Sequence, residues 1–241
     1  MRNSQLIEQI IIDWEEISEN SHLRDISAIQ SIDCLELYNP ITFFVGENGT
    51  GKSTLLEAIA IAYGFNPEGG TRNYDFSTYD SHSELCASLK LVRGPRRAKW
   101  GYFLRAESFY NVATKEEEYG RSPGSKALSE RYHEMSHGES FLTVIQKNLQ
   151  RNSLYLLDEP EAALSPQRQL TLLMEIYNCA KAGSQFIIAS HSPILLGIPG
   201  AEILSFDNGN IHPVSYEETE SYQVVSMFIN HREQMLNQLL R

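Results

Sequence analysis

The nine residues "GENGTGKST", Gly46 to Thr54, constrain this 241-residue chain more than any other stretch. They match G-x-x-x-x-G-K-[ST] in full, and they sit where that pattern carries physical meaning. Before them runs the short apolar, β-rich segment "PITFFVG", which predicts a buried strand. After them comes "STLLEAIAIAY", whose apolar residues fall at helical spacing. A strand that turns through glycines into a helix leaves backbone N–H groups pointing inward, and the helix adds its positive dipole end. Gly46, Gly49 and Gly51 let the backbone curl, with Asn48, Thr50 and Thr54 in the same loop. Such a loop cradles phosphate. Lys52 is placed to reach the β- and γ-phosphates of a nucleotide, and the Ser53 hydroxyl to ligate Mg²⁺.

Two further apolar runs end in polar residues of the right kind. "SLYLLDEP" is a strand that carries Asp158 to its end, where a carboxylate can hold Mg²⁺ through water. Glu159 follows, placed to polarise an attacking water as general base. "SQFIIASHSP" ends another strand at His191. A lone histidine is more often structural; after such a strand, in a chain with this loop, it is a candidate for contact with the γ-phosphate or the attacking water. Strands alternating with helices predict an α/β fold with a largely parallel sheet, whose ligands bind at the carboxyl ends of the strands. A fourth stretch, "MSHGES", precedes the apolar run "FLTVIQ". Ser136 to Glu139 fits a capping box, yet Gly138 stands inside it, where glycine costs stability.

In this order the four motifs resemble those of an ABC-type ATPase, over roughly residues 30–215. The likeness is nearest to soluble ATPases of the RecF and SMC kind and to small bacterial ATPases with "DEPEAALSP" and "SHGES". The resemblance implies a P-loop NTPase fold of the ABC type: a mostly parallel sheet flanked by helices, a small antiparallel β-subdomain and a reduced helical insertion. It also gives "MSHGES" a role. The signature element of this family faces the γ-phosphate bound to a second copy, so that two head-to-tail chains enclose two ATP molecules. Ser136, Gly138 and Glu139 would then belong to the partner's ATP site. Gly138 would lack a side chain because phosphate must come close. A capping box alone is the rival reading. His137 stands where the first of two usual glycines falls, and Ser165 where an Asp usually falls. No Gln occupies the family's usual place between the phosphate loop and the signature element; Glu107 is the nearest substitute as a metal-side residue, with a salt bridge to Arg105 or a neighbouring strand as its rival.

One domain is expected over 1–241, with a short insertion over about 108–135 and a C-terminal helix over 216–241. The tail opens with a capping box from Ser215 to Glu218. Tyr222, Val225, Phe228, Ile229, Leu236 and Leu239 then fall mainly on one helical face. "AEILSFDNGNIHPV" predicts a hairpin with an Asn-Gly turn. Residues 87–105 predict another, turning at Gly94-Pro95. Its basic tip (Arg93, Arg96, Arg97, Lys99) is a candidate contact for nucleic acid or protein, or simply a solvated turn. The formal net charge of −11 argues against non-specific nucleic-acid binding by the whole surface, though not against such a local basic patch.

Cys34, Cys86 and Cys179 lack metal-ligand spacing and read as reduced thiols, consistent with a cytoplasmic protein. No run is long enough for a bilayer, and the N-terminus shows no signal peptide. The expected function is ATP binding and hydrolysis with Mg²⁺ by an ATP-dependent homodimer coupled to nucleic acid or protein, as in DNA repair or phage defence. The alternatives are a transporter subunit and an ATP-gated switch. The short 108–135 interval leaves little room for the helical lobe that grips a membrane permease.

Overall fold

The computed structural model describes residues 5–71, 84–105 and 137–240, and of residues 137–141 the backbone alone. The first described element is a strand, β1 (Ile7–Ile12), whose Ile7, Ile10 and Ile12 are buried. Two 3-10 turns and a one-turn helix, α1 (Ser27–Gln30), lead to β2 (Cys34–Glu36) and then β3 (Ile41–Val45). The glycine loop follows, and α2 (Lys52–Tyr63) starts directly from it. Gly64 ends α2 with a φ of 101°, a left-handed cap that glycine adopts without strain. Next come β4 (Gly70–Thr71), the single turn α3 (Leu85–Ser88), β5 (Leu89–Arg93) and β6 (Trp100–Arg105). The second half alternates: α4 (His137–Asn148), β7 (Ser153–Asp158), α5 (Pro166–Lys181), β8 (Gln185–Ala189), α6 (Pro193–Leu196), β9 (Glu202–Ser205) and β10 (His212–Pro213). The helices α7 (Glu220–Asn230) and α8 (Arg232–Leu239) close the chain.

Among the described residues the strands form two sheets. The larger has seven, ordered β10-β9-β3-β8-β7-β6-β4. Its five central strands run parallel, and β10 and β4 lie antiparallel at the edges. The smaller sheet, β2-β1-β5, is antiparallel throughout. All five residues of β3 and of β8 are buried, as expected for parallel strands covered on both faces. One apolar layer joins α2 and the small sheet to one face of the large sheet, through Leu55, Leu56 and Ile59 with Phe44, Leu156 and Ile187. The other layer packs α4 and α5 on the opposite face, through Val144, Ile145, Leu172 and Ile176 with Tyr155, Leu157 and Ile188. Each fully buried side chain of this kind contributes about 1.5–3 kcal/mol. Gln185 on β8 ties the two sheets together. Its Oε1 accepts from the Leu6 and Ile7 N–H groups at 2.8 Å each, and its Nε2 donates to the Ile7 carbonyl at 2.9 Å.

Two expectations are corrected. Residues 87–105 do not form a hairpin, because β5 pairs with β1 in the small sheet and β6 pairs with β7 and β4 in the large one. Four consecutive residues of β6 are buried, which suits an interior parallel strand rather than a half-exposed hairpin arm. The connection hugs the protein. Gly94 donates its N–H to the Leu6 carbonyl, and a Cβ there would lie 1.9 Å from the Gln5 carbonyl oxygen. Arg96 donates to the Gly183 carbonyl at 2.9 Å, and the Arg93 guanidinium lies 4.7 Å over the Tyr63 ring. The basic residues are therefore not equivalent: Arg96 is built into the fold, while Arg97 and Lys99 are exposed.

The tail is not one helix. Ser215 and Glu218 do form a capping box, but over a 3-10 turn, and α7 breaks from α8 at His231. Neither helix has a buried residue, and Met227, Ile229, Leu239 and Leu240 are all more than half exposed. The Asn-Gly hairpin forms as expected between β9 and β10, with Asn208 and Gly209 at φ of 61° and 78°. No helix of the described residues is long and apolar enough to cross a membrane. The described cysteines are free thiols.

Candidate nucleotide-binding site

The carboxyl ends of β3, β8 and β7 lie side by side, because these strands are parallel neighbours. The loop after each carries one of the predicted motifs. After β3, Gly46, Gly49 and Gly51 have φ of 137°, 86° and 96°, a region in which an L side chain is strained. At Gly51 a Cβ would also fall 2.7 Å from Ile29 Cδ1 of α1, so the loop is seated on the small N-terminal elements. Asn48 and Gly49 form the exposed crest of the loop. Thr50 donates its hydroxyl to the Glu47 carbonyl at 2.9 Å, and Thr54 lies in the first turn of α2.

Lys52 is buried, and its Nζ donates to the carbonyls of Gly46 and Glu47 at 2.6 Å each. The ammonium thus lies inside the curl of the loop. Burial holds its pKa below the usual lysine value, against the opposing pull of Asp207, Glu159 and Asp158. Ser53 Oγ donates to Asp158 Oδ1 at 2.8 Å, which joins two residues more than a hundred positions apart. A hydroxyl and a carboxylate at this distance are hard oxygen donors, the set that Mg²⁺ prefers. Glu159 follows in the left-handed region at φ 48°, uncommon for a residue with a side chain. Its N–H donates to the Ala189 carbonyl at 2.9 Å, and its carbonyl accepts from the Ala162 N–H, so the unusual conformation is held from both sides.

His191 follows β8, and its Nε2 is buried without a hydrogen-bond partner among the described residues. Burial, with Lys52 adding its charge, keeps the imidazole below its ordinary 6.5, although Glu159, Asp207 and Glu220 pull the other way. A neutral ring facing a phosphate loop can accept or donate one hydrogen bond there.

Two clefts flank the loop. One, of about 270 Å³, is lined by Gly46, Ser190, His191, Asp207 and, from α7, Glu220 and Val224. The other, of about 600 Å³, is lined by Asp25 and Ser27 beside α1, and by Glu47, Thr50 and Asp207. Tyr38, the aromatic residue upstream of the loop, lines neither and is 62% exposed.

Two residues enter this site that sequence reasoning passed over. Asp207, read only as part of a hairpin turn, accepts from the Glu47 N–H at 2.9 Å and from Ser205 Oγ at 3.1 Å. A Cβ on Gly46 would stand 2.8 Å from its Oδ1, which explains a glycine at the loop's first position. Glu161, within "DEPEAALSP", accepts from Ser190 Oγ and from the His191 N–H. The repeated Glu of "DEPE" was its only signal. Of the signature element, Gly138 and Glu139 lie in the first turn of α4, their side-chain surroundings outside the described residues. Ser136 and Glu107 also lie outside them. The rival ion pair for Arg105 has a described partner: Glu57, at 3.1 Å. Ser165 takes the N-cap place of α5 ahead of Pro166, without a side-chain cap bond.

Parts of the chain are similar to known proteins. Residues 125–197 match a family described as "AAA domain, putative AbiEii toxin, Type IV TA system". That span holds "MSHGES", "DEP" and His191. The chain is 25% identical over 187 residues to the hemin import ATP-binding protein of Pseudomonas aeruginosa, covering 70% of this chain and 72% of that protein. It is 30% identical over 176 residues to a phosphate import ATP-binding protein of Vibrio vulnificus, covering 63% of this chain and 64% of that protein, less than two thirds of its length. The SMC head domain from Thermotoga maritima aligns over 87% of this chain and 99% of its own, at 13% identity and a TM-score of 0.43. With its full phosphate loop and the strand-end residues beside it, the chain is similar to ATP-binding proteins of the ABC type.

Proposed function

We propose that this protein binds ATP with Mg²⁺ and hydrolyses it, working as an ATP-gated homodimer coupled to a nucleic-acid or protein partner. The observation that carries the reading is the 2.8 Å bond between Ser53 Oγ and Asp158 Oδ1, which brings the phosphate loop and the acidic end of β7 to one point. Ser53 and Asp158 would hold the metal, which when bound offsets the charge of the β- and γ-phosphates. Lys52 would leave the two loop carbonyls for phosphate oxygens, a stronger, charge-assisted exchange. Glu159 would take the proton of the attacking water, and His191 would orient that water or the γ-phosphate from the neighbouring strand end. Ser136, Gly138 and Glu139 would complete the site of the second copy, and Arg97 and Lys99 remain as exposed cations for an anionic partner.

Roles divided in this way predict divided losses. Lys52→Ala should abolish ATP binding, whereas Glu159→Gln should bind ATP and lose about 10²–10⁴-fold in turnover. Calorimetric ATP titration and phosphate release measure the two separately. Turnover at the parent rate in purified Glu159→Gln would remove Glu159 as the base.

A second reading, the energy subunit of an importer, is favoured by the names of the two sequence relatives. Against it stands the short 108–135 interval. Recovery of the Glu159→Gln protein with ATP in the membrane fraction, bound to an integral membrane protein, would favour the importer. Recovery with nucleic acid or a water-soluble protein would favour the first reading.

A further inference from the structure

The loop after β8 carries His191, yet its position is set from outside. Glu161 Oε1 accepts from the His191 backbone N–H at 2.6 Å and from Ser190 Oγ at 2.9 Å. Ser190 Oγ in turn accepts from the Ser192 N–H at 3.1 Å. Ser192 Oγ donates to Gln169 Oε1 at 2.6 Å, and Gln169 Nε2 donates to the Leu164 carbonyl at 3.0 Å. Every one of these outside partners comes from the segment that follows Glu159 or from the start of α5. The return link is the Glu159 N–H on the Ala189 carbonyl, two residues before His191. The base-bearing and histidine-bearing loops are thus laced together along their length, and among the described residues Glu161 is the side chain that grips the His191 backbone itself.

We propose that Glu161 is a positioning residue for hydrolysis: it fixes the His191 loop and thereby sets the imidazole relative to the segment that carries Glu159. This rests on the proposed ATPase reading. A carboxylate suits the task because it only accepts, so both donors must turn toward it, and bonds to an ionised acceptor are the stronger kind. Without it the His191 N–H would lose its partner beside a phosphate site, and the loop could turn the ring away from the 270 Å³ cleft it lines with Gly46. Glu161 itself reaches neither cleft, so its influence on chemistry passes through His191.

The test is a double-variant cycle. Glu161→Ala should lower kcat about tenfold or more while the Kd for ATP stays within about twofold; in a His191→Ala background the same change should cost almost nothing further. Glu161→Gln, which keeps one oxygen acceptor, should restore much of the lost turnover. Losses that multiply across the two sites would overturn the proposal, since a merely stabilising side chain acts equally in both backgrounds. A second measurement is independent of turnover. In histidine-labelled protein, the His191 ring cross-peak, assigned by its loss in His191→Ala, should move or broaden in Glu161→Ala while those of His212 and His231 stay in place. A His191 peak that does not respond would equally overturn it. If Glu161→Ala does not fold, Glu161→Asp, with the carboxylate withdrawn by one methylene, takes its place in both comparisons. Should the parent bind ATP without hydrolysing it, the ATPase reading fails and the cross-peak alone decides whether Glu161 positions His191.

Discussion

Opposing demands meet at the carboxyl group of Glu161. Burial raises its pKa above the ordinary 4.5, while the bonds from His191, from its own backbone and from Ser190 favour the ionised form. Burial prevails. As pH rises, the unfolded chain releases this proton first, so between 4.5 and the folded value the unfolded state binds fewer protons and stability falls with rising pH. Glu161→Gln has no such proton. Its stability relative to the parent should therefore improve as pH rises from about 4 to about 7, read from urea unfolding midpoints. An unchanged difference would mean that the folded carboxyl titrates as it does in the unfolded chain. The depressed imidazole of His191 acts with the opposite sign: the unfolded chain takes up its proton first as pH falls below 6.5, and stability is lost there. That contribution is common to both proteins and cancels in the difference.

The element with the most consequence outside the site is β8, through Gln185. Three backbone groups near the start of β1 bond to this buried amide, which reaches across from the large sheet. Gln185→Leu keeps the volume and removes all three bonds. With about 1–3 kcal/mol for each buried polar group left without a partner, the variant should lose about 3 kcal/mol or more, measured by urea unfolding. A loss below about 1 kcal/mol would mean that β1 finds water or other partners there. The same joint shows where sequence reading stops. "ITFFV", "SLYLLD" and "QFIIA" are legible because short continuous apolar runs, rich in β-branched and aromatic residues and ending in polar ones, favour covered strands. "IEQIII" is harder, since its partners β2 and β5 are distant in the chain and nothing local names them. For the same reason β5 and β6 read as a hairpin when they serve different sheets. The tail shows an apolar helical face, but periodicity does not say whether anything covers it or that it breaks at His231. In the site, Lys52, Ser53, Asp158 and His191 can be picked out because each has a fixed offset from a strand end. Asp207 and Glu161 cannot, because their partners are brought to them only by the order of the strands.

At the scale of the whole molecule, the two faces of the large sheet decide how ATP sites could assemble. Lys52 opens α2, which packs on one face, whereas the helix that begins with His137, Gly138 and Glu139 packs on the other. The phosphate loop and the helix that carries Gly138 thus lie in different layers, as the proposed two-copy site requires. In the proposed dimer, Gly138→Asp would place a carboxylate and added bulk against the γ-phosphate of the second copy. The variant should still bind ATP, since its own loop is untouched, but it should neither dimerise nor hydrolyse. Lys52→Ala has the complementary defect. Each variant alone should be inactive, yet the mixture can form one intact site, from the loop of the Gly138→Asp chain and the signature of the Lys52→Ala chain. Turnover should therefore reappear on mixing, depend on total protein concentration, and in the parent rise cooperatively with ATP. Light scattering of Glu159→Gln with ATP should show the dimer directly at tens of micromolar, roughly the range that an interface of about 6–7 kcal/mol populates. If that protein stays monomeric and the mixed variants recover no turnover, "MSHGES" acts within its own chain, and its capping box is the whole of its role.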